Sequence, residues 1–515
     1  MQRFSADFVA SEVYPLAKTG GLADVCAALP QALAALGVDV RLIVPGYESA
    51  LDRVLHPQIK CNLDDILGIE DARLVSGEMP DSGIPVLLVD VPRLYRRAGS
   101  LYQAWDGSDW LDNDRRFAVF CHAAARIALG RADSLPAPDL VHCHDWHAGL
   151  VPLLLRGRPK APPSVFTVHN MAFQGNFPPE TFERLGLPAG SFGPDGVEFY
   201  GQVSFLKAGL QYADYLSTVS RRYAREVQTQ EFGHGLDGLM RRRARRLCGI
   251  VNGIDTALWN PHANPWLPER FSDEDLAGKR ICKRELQVEL GLRDDPEAVL
   301  AVSACRLTHQ KMIDVVADAL PEMLARWPHL QFALLGQGER HLERRLAELA
   351  GNFPGRISVR IGYDEPEVHR LIAGADALLH GSRFEPCGLV QLYAMRYGAV
   401  PVVRRIGGLA DTVRDVGLEA LPDERATGFS FAEASREDMI AGLERAVAMH
   451  RQPPAWRKLQ MQGMRTDFGW QRSARAYLRL YRALAARRRP GLARLPDGPD
   501  SHNAAGTVGA SGLAI

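Results

Sequence analysis

The sequence predicts an α/β protein made of two doubly wound domains, each with a parallel sheet covered by helices. Short apolar runs of strand length alternate with longer segments of helical periodicity, which is typical of βαβ units. The runs form two series, separated by a polar segment with prolines at 261–278. The length of 515 residues also exceeds what one ordinary core accommodates. Because ligands collect at the carboxyl ends of strands in such sheets, we expect a binding cleft between two facing domains.

The predicted strands follow one another along the chain in two groups. The first group is VRLIVPG near residue 40, PVLLVDV near 85, DLVHCHD near 139, SVFTVHN near 164, YLSTVS near 215 and LCGIVNG near 247. The second group is VLAVSACRLT near 299, followed by QFALLGQG, ISVRIGY, DALLHGS and AVPVVRR. We interpret 261–278 as the connection between the domains.

The domain boundaries follow from these groups. We expect an N-terminal domain over 1–258, a C-terminal domain over 259–468, and a helix over 469–487 that returns to the N-terminal domain. The last segment, 488–515, is rich in Gly, Pro, Ala and Ser without periodicity, which indicates a disordered tail.

The charge balance and the cysteines restrict the class of protein. Lysine plus arginine equals aspartate plus glutamate, 61 each, so no overall field attracts the chain to nucleic acid or anionic lipid. The run RRRARR at 241–246 is interpreted as a solvated helix face, with a nucleic-acid patch as the alternative. Eight scattered cysteines without a CxxC pair favour a reducing cytoplasm. No apolar run has the length of a signal-peptide core or a membrane span, so we expect neither export nor membrane anchoring.

A glycine-rich turn is the first candidate for a binding site. KTGGLADV at 18–25 follows the first apolar strand and leads into a helical pattern. Paired glycines there leave backbone amides open to an anion, the helix N-terminus adds its dipole, and Lys18 adds a full positive charge. An ordinary turn is the alternative. A near copy, RRIGGLADTV, occurs at 404–413, also between a strand and a helix.

Several strings between residues 8 and 481 together carry a family resemblance. Besides KTGGLADV, they are DNDRRF (112–117), VHCHDWHAGL (141–150), TVHN (167–170), FLKAGLQYAD (205–214), VNGID (251–255), RLTHQK (306–311) and SRFEPCGLVQLYAMRYG (382–398). The set resembles bacterial glycogen synthases and plant starch synthases. The resemblance implies a GT-B architecture, in which two Rossmann-like domains face a deep cleft. It also implies transfer of glucose from ADP-glucose to glycogen or another α-1,4-glucan primer, with retention of configuration and without a metal or cofactor.

The chemistry of that reaction requires cations on one side of the transferred sugar and a carboxylate or carbonyl groups on the other. Negative charge develops on the leaving diphosphate while the sugar gains oxocarbenium character. Arg306 and Lys311 lie five residues apart on a turn after the strand VLAVSAC and suit the first task, with a surface ion-pair role as the alternative. The resemblance implies that they clamp the diphosphate together with Lys18 and the amides around Gly20 and Gly21.

The resemblance also implies the groups that contact the sugar. Glu385 is implied as the carboxylate beside the transferred glucose, His147 as a contact near the reacting centre, and Asp112 as a second carboxylate near the sugar. The remaining implied contacts are supporting ones. The backbone amides of Cys387, Gly388 and Leu389 would face sugar or phosphate. Asn252 would contact the glucose, and Tyr363 would contact the adenine side of the donor. His144 and Asp145 would support His147, whereas Asp24 and His169 would organise the cleft.

The histidine-rich string VHCHDWH has a metal site as its alternative interpretation, since thiolate and imidazole suit zinc. However, His142 and His144 fall on one face of a strand and Cys143 on the other, so these side chains cannot converge without distortion. We therefore expect no metal ion there.

This chain departs from the family pattern at a few positions. Ile406 stands where threonine is usual, and His380 and Gly381 stand where an apolar residue and proline are expected. The loop SLYQAWDGSDW before Asp112 lacks the usual GxPYxD string. Tyr393 occupies the place of a second glutamate found in related transferases, as it does in glycogen synthases generally. None of these changes removes a charged residue assigned to the chemistry.

Two mechanisms and several other functions stay open. In a front-face displacement the glucan hydroxyl attacks from the side of the leaving diphosphate; in a double displacement Glu385 or Asp112 would be the nucleophile. A dehydrogenase is disfavoured because GQG at 336–338 lacks the third glycine, where His341 stands. A phosphorylase would need a pyridoxal phosphate lysine and a longer chain. A UDP-glucose-dependent transferase of the same fold and a glucan-binding scaffold remain alternatives.

Overall fold

The computed structural model describes residues 4–132, 135–417 and 425–488, and it divides the chain into two compact units. Unit 1 contains the described residues of Met1–Val219, Ala224–Ile250 and Trp470–Ile515. Unit 2 contains those of Ser220–Tyr223 and Val251–Gly469. The expected connection at 261–278 therefore belongs to unit 2, where the side chain of Asn264 hydrogen-bonds to His369 and Tyr397. The expected disordered tail lies outside the described residues, except for Arg488, where the last helix ends.

Unit 1 is built on a nine-stranded sheet in the order β12-β11-β7-β6-β1-β2-β5-β4-β3. The strands from β12 to β5 are parallel, whereas β4 pairs antiparallel with both of its neighbours, β5 and β3. The strands are β1 Ser5–Val9, β2 Asp39–Pro45, β3 Leu55–Asn62, β4 Arg73–Glu78, β5 Pro85–Asp90, β6 Leu140–His144, β7 Ser164–Val168, β11 Tyr215–Thr218 and β12 Leu247–Gly249. A separate antiparallel sheet has the order β8-β10-β9, from Asn176–Phe177, Gln202–Ser204 and Glu198–Phe199 respectively.

The apolar runs of the sequence become the inner strands of this sheet. Every residue of β6 and of β7 is buried, as expected for strands covered by helices on both faces. The edge strand β3 is almost wholly exposed and contains Pro57, which cannot donate to a sheet ladder. The sequence did not predict β3 and β4, because both lack a continuous apolar run.

The helices of unit 1 cover the faces of the large sheet. They are α1 Gly21–Ala35, α2 Glu48–Arg53, α3 Pro92–Tyr95, α4 Asn113–Ala128, α5 Val151–Leu155, α6 Phe205–Tyr212, α8 Asp237–Arg242 and α17 Gln471–Arg488, while α7 Arg221–Glu226 carries residues of both units. Helix α17 packs on α1, and its Tyr481 hydroxyl hydrogen-bonds to Nδ1 of His142 at 2.7 Å. The C-terminal helix is thereby part of the core of unit 1.

Unit 2 is built on a six-stranded sheet, entirely parallel, in the order β15-β14-β13-β16-β17-β18. Its strands are β13 Val299–Ala304, β14 Leu330–Gly336, β15 Ile357–Ile361, β16 Ala377–His380, β17 Val400–Arg404 and β18 Phe429–Phe431. Its helices are α9 Ala277–Glu289, α10 Ile313–Arg326, α11 Arg340–Asn352, α12 Glu365–Gly374, α13 Val390–Arg396, α14 Gly407–Thr412, α15 Arg436–His450 and α16 Pro453–Arg465. A continuous core of aliphatic and aromatic side chains fills the space between sheet and helices, including Phe332, Leu379, Val402 and Leu443. No helix in the described ranges is long and apolar enough to cross a membrane.

Candidate active-site clusters in the two units

In the parallel part of each large sheet the strand order reverses at one point, and four of the predicted residues follow the strands on either side of it. In unit 1 the reversal lies between β1 and β6; Lys18 follows β1 and His147 follows β6. In unit 2 it lies between β13 and β16; Lys311 follows β13 and Glu385 follows β16. Loops at such a reversal splay apart and leave a crevice at the carboxyl ends of the strands. Each unit therefore places its candidate residues where a doubly wound sheet binds ligands.

The centre of the unit 2 cluster is the carboxylate of Glu385, on the loop between β16 and α13. Its Oε2 atom accepts hydrogen bonds from Ser382 Oγ at 2.8 Å, from His380 Nε2 at 3.1 Å and from the ammonium group of Lys311. Glu385 is only 6% exposed. Burial alone would raise the pKa of Glu385, but the charge of Lys311 and the hydrogen bonds of His380 and Lys311 outweigh it and lower the pKa well below its usual range. Glu385 is therefore ionised at neutral pH.

Lys311 and Arg306 lie on the same loop but in different surroundings. Lys311 ends a short 3-10 helix, His309–Lys311, and its side chain is 13% exposed in its ion pair with Glu385. Arg306 is exposed just beyond the end of β13. Lys311 is thus not a surface ion-pair residue, and its charge is already shared with the carboxylate beside it.

The predicted backbone contacts near Glu385 lie in a tightly packed turn. Cys387 is buried, Gly388 has a φ of 74°, and Leu389 caps the short helix α13. Asn252 is buried against this turn: the backbone of Asn252 hydrogen-bonds to the Cys387 thiol, and its own side-chain Oδ1 has no hydrogen-bond partner. Tyr363, by contrast, is 59% exposed beyond the end of β15.

The glycine-rich turn of unit 1 is held by a carboxylate that the sequence analysis did not identify. Glu12, which is 3% exposed, accepts hydrogen bonds from the backbone N–H of Thr19 at 2.7 Å and of Gly20 at 3.2 Å. It also accepts from the Thr19 hydroxyl at 2.6 Å. The Gly20 amide, expected to face a diphosphate, is thus engaged by the protein itself. Thr19, Gly20 and Gly21 are nevertheless exposed, so the turn is accessible.

Two of the residues predicted for the site in unit 1, Lys18 and Asp112, form ion pairs. Lys18 Nζ lies 2.8 Å from Asp24 Oδ1, one turn into α1. Asp112, which caps α4, forms a two-pronged ion pair with Arg97, with both N–O distances 2.7 Å. Burial alone would raise the pKa of Asp112, but Arg97 and Arg116 outweigh it and lower the pKa. Both predicted residues are present with an ordinary ion-pair partner.

His147 lies on a short 3-10 helix after β6 and is buried among aromatic rings. Its ring stacks on Tyr102 at 4.4 Å between centroids and contacts Phe117 edge-on at 4.8 Å. Burial, with a smaller effect of Arg116, holds the pKa of His147 well below its usual value, so the imidazole is neutral. Its Nδ1 atom is buried without a hydrogen-bond partner. Tyr102 donates its hydroxyl hydrogen to Glu12 Oε1 at 2.6 Å, with Ser11 Oγ also within hydrogen-bond distance at 2.7 Å, and so joins His147 to the glycine-rich turn.

The residues that flank His147 form a buried hydrogen-bonded group. Asp145 has φ 54° and ψ −178°, a conformation that is costly for any residue other than glycine, and it accepts a hydrogen bond from the His169 N–H at 2.7 Å. Burial raises the pKa of Asp145 to about 7. His144 Nδ1 lies 3.0 Å from His169 Nε2.

The histidines of β6 share one strand face, as expected, with ring centroids of His142 and His144 4.1 Å apart. Both ring nitrogens of His142 are used, by Tyr481 and by Thr167. Within the ranges that the structure describes, no group of three or more His, Cys, Asp or Glu side chains could hold a metal ion.

Two departures from the expected pattern have a clear structural role. Tyr393 is buried and stacks on Trp259 with centroids 3.6 Å apart, so it belongs to the core of unit 2. His380 contacts Glu385 directly, which the sequence position alone did not reveal. Glu12, Tyr102 and Ser382 were also missed; Glu12 could have been suspected because it is an acidic residue just beyond the end of the first strand.

Comparison with known proteins gives one family model for the N-terminal part of the chain and another for the C-terminal part. Residues 7–242 match the family model of the starch synthase catalytic domain, and residues 297–448 match that of group 1 glycosyl transferases. The chain is 57% identical to a glycogen synthase of Burkholderia thailandensis, over 94% of this chain and 91% of that protein. It is 50% identical to one of Ralstonia nicotianae, over 94% and 88% respectively.

A solved structure shares the fold. The catalytic domain of starch synthase IV from Arabidopsis thaliana, bound to ADP and acarbose, superposes with a TM-score of 0.84 at 30% identity, covering 94% of this chain and 100% of that one. The chain is a glycosyltransferase and belongs to the family of glycogen and starch synthases.

Proposed function

We propose that the protein transfers glucose from ADP-glucose to the non-reducing end of an α-1,4-glucan such as glycogen, with retention of configuration and release of ADP. The observation that carries the proposal is the buried, ionised Glu385 beside Lys311 at the point where the sheet order of unit 2 reverses. A fixed negative charge suits the oxocarbenium character of the sugar, and a neighbouring cation suits the leaving diphosphate. The ADP bound to the Arabidopsis starch synthase domain supports adenine as the base of the donor.

The proposed roles of the unit 2 residues follow from their surroundings. Lys311 and the exposed Arg306 would hold the diphosphate, while Glu385 would lie beside the glucose ring. Since Lys311 already contacts Glu385, binding of a diphosphate would make the ammonium group share its hydrogens between two anions. The amides of Cys387, Gly388 and Leu389 and the side chains of Asn252 and Tyr363 are proposed as further donor contacts.

The proposed roles of the unit 1 residues are similar in kind. Lys18 would add a cation for the diphosphate, with the turn of Gly20 and Gly21 next to it and Asp24 orienting the lysine. His147, being neutral, would serve as a hydrogen-bonding contact to the sugar and not as a charged acid. Asp112 would act as a second carboxylate, kept ionised by Arg97.

Front-face displacement requires no protein nucleophile, because the leaving phosphate accepts the proton of the attacking hydroxyl. Double displacement would use Glu385 or Asp112 as nucleophile. An ionised Glu385 is compatible with both, so both mechanisms stay open. A cytoplasmic location and the absence of a nucleic-acid partner stay predictions from the sequence.

The test is nucleotide release by the full-length protein with glycogen and either ADP-glucose or UDP-glucose. We expect glycogen-dependent ADP release that falls about 100-fold or more in Glu385→Gln and in Lys18→Ala. Lys60→Ala is the matched control, since Lys60 is an exposed lysine of unit 1 on the edge strand β3. Release from UDP-glucose alone would change the donor. If neither donor gives nucleotide release while the protein still binds glycogen, the proposed enzymatic activity is contradicted and a role as a glucan-binding scaffold is favoured.

A further inference from the structure

His380 is the last residue of β16. It stands where the sequence resemblance leads us to expect an apolar residue. It is 5% exposed, and its Nε2 lies 3.1 Å from Glu385 Oε2. The next residue, Gly381, has little room: a Cβ there would lie 2.9 Å from the Met439 methyl carbon and 3.3 Å from Met312 Cβ. His380 is thus a polar side chain in a buried position, and its ring nitrogen contacts the proposed catalytic carboxylate.

The hydrogen-bond donors on Glu385 differ in charge. Lys311 is a full cation, whereas Ser382 is neutral. Burial lowers the pKa of His380, the hydrogen bond with Glu385 opposes this, and the charge of Lys311 lowers it further, so His380 is neutral at neutral pH. A neutral imidazole has one N–H, and the contact with a carboxylate places that hydrogen on Nε2.

The thiols of Cys305 and Cys387 do not add charge near Glu385. Burial raises the pKa of Cys305 to about 11 and that of Cys387 to about 12, so both thiols are uncharged. The charge of Lys311 is the largest single cause that lowers the pKa of the Glu385 carboxylate, and His380 and Ser382 supply hydrogen bonds that do not depend on it.

The difference between the charged donor Lys311 and the neutral donors His380 and Ser382 becomes important when a diphosphate binds. In the proposed function Lys311 turns part of its hydrogen-bonding capacity to the donor, which weakens its hold on Glu385. A buried carboxylate that loses its donors pays a desolvation penalty and can rotate. His380 and Ser382 remain in place, because neither is assigned to the diphosphate.

We propose that His380 is a positioning residue, which keeps the Glu385 carboxylate in a fixed orientation while Lys311 binds the diphosphate of the donor. The inference rests on the proposed function, and it concerns a position at which this chain departs from the expected family pattern.

The experiment compares His380→Leu, which removes the donor but fills the space, with His380→Gln, which retains an N–H at a similar distance from the backbone. We expect His380→Leu to lower kcat about tenfold, with the KM for glycogen within about twofold of the wild type. The acid limb of kcat should move to higher pH, because Glu385 loses a donor to its ionised form and its pKa rises. His380→Gln should recover most of kcat and the acid limb.

The controls separate positioning from general loss of structure. His369→Gln alters another buried histidine of unit 2, so it should reduce the free energy of unfolding without moving the acid limb. Ser382→Ala together with His380→Leu should lower kcat by more than the product of the single effects, because Lys311 then holds Glu385 alone. If His380→Leu does not fold, His380→Asn, whose amide is too short to reach Glu385, replaces it.

Two outcomes would overturn the inference while leaving the proposed function intact. One is wild-type kcat and an unmoved acid limb in His380→Leu. The other is a loss of kcat that His380→Gln does not recover. Failure of the wild type to release ADP or UDP in the same assay would instead contradict the proposed function itself.

Discussion

The five-residue string GGLAD occurs once in each unit, and the two copies have different surroundings. Residues 20–24 follow β1 in unit 1, and residues 407–411 follow β17 in unit 2. Both copies follow a parallel strand and form the start of a helix, α1 in unit 1 and α14 in unit 2. The first is exposed at Gly20 and Gly21, while the second is buried at Gly407 and Gly408.

The glycines meet different neighbours. A Cβ added to Gly20 would meet no atom within 4 Å, and its φ of −161° is open to any residue. A Cβ added to Gly408 would lie 2.2 Å from the backbone oxygen of Cys387, and the Gly408 N–H donates to the Glu385 carbonyl at 3.0 Å. Gly407 has a φ of 44°, in the left-handed region.

The comparison shows that one local sequence serves two purposes. The second turn packs backbone against backbone and fixes the loop that carries Glu385. The first turn is held by the side chain of Glu12, and Gly20 leaves open space beside the backbone. The shared string therefore reports a shared strand-turn-helix geometry, whereas binding capacity is decided by what packs against the turn.

The largest expected effect is that of Gly408→Ala. The added methyl group would overlap the Cys387 carbonyl, which cannot move without shifting Glu385, so we expect a loss of about 3 kcal/mol in the free energy of unfolding and loss of nucleotide release. Gly20→Ala, with open space around it, should change stability by less than about 0.5 kcal/mol. Urea unfolding followed by tryptophan fluorescence measures both. Equal losses in the two variants would contradict the contrast between the turns.

Removal of the Glu12 side chain should have an intermediate effect. Glu12→Ala leaves the amides of Thr19 and Gly20 and the Tyr102 hydroxyl without their acceptor, so we expect a loss of about 2 kcal/mol in stability. The looser turn should raise the KM for ADP-glucose several-fold. Steady-state kinetics at varied donor concentration test this, with Glu48→Ala on α2 as an acidic control in the same unit. A lower KM would instead show that Glu12 competes with the diphosphate for the amides.

The strands that define both units were predictable from apolar runs, because a strand buried on both faces must be apolar along its length. The predicted run DALLHGS is β16 and AVPVVRR is β17, whereas the exposed β3 gave no such signal. The sequence also predicted the strand-to-helix position of both glycine-rich turns.

The partners of the site residues were not predictable in the same way. Lys311 and Glu385 are 74 residues apart, and only the adjacency of β13 and β16 brings them together. Glu12 and Tyr102 are 90 residues apart and meet through a loop whose sequence departs from the family pattern. Periodicity and propensity describe neighbours along the chain, so contacts of this length depend on sheet order.

A smaller effect is expected from Tyr102→Phe. The variant loses the hydroxyl contacts with Glu12 and Ser11 but retains the ring that stacks on His147, so we expect a loss of about 1 kcal/mol in stability and a twofold to threefold lower kcat. Tyr102→Leu, which also removes the stacked ring, is the matched variant and should be worse. Equal kcat values for the two would show that stacking on His147 has no part in turnover.

The smallest effect should come from the aspartates at the end of the repeated string. Asp24 pairs with Lys18 through side chains that are 29% and 24% exposed, so Asp24→Asn should change stability by about 0.5 kcal/mol or less. Asp24→Asn keeps an oxygen that can accept a hydrogen bond from Lys18 but removes the neighbouring negative charge, so we expect the KM for ADP-glucose to fall up to about twofold at low salt and to return to the wild-type value in 0.5 M salt. Asp411 accepts a hydrogen bond from the Arg222 N–H at 2.8 Å, a role that an asparagine oxygen also fills. Asp411→Asn should therefore leave the KM and its salt dependence unchanged. An equal response in both variants would show that the two copies are electrostatically equivalent, whereas a response confined to Asp24→Asn would assign the interaction with the donor to the exposed copy.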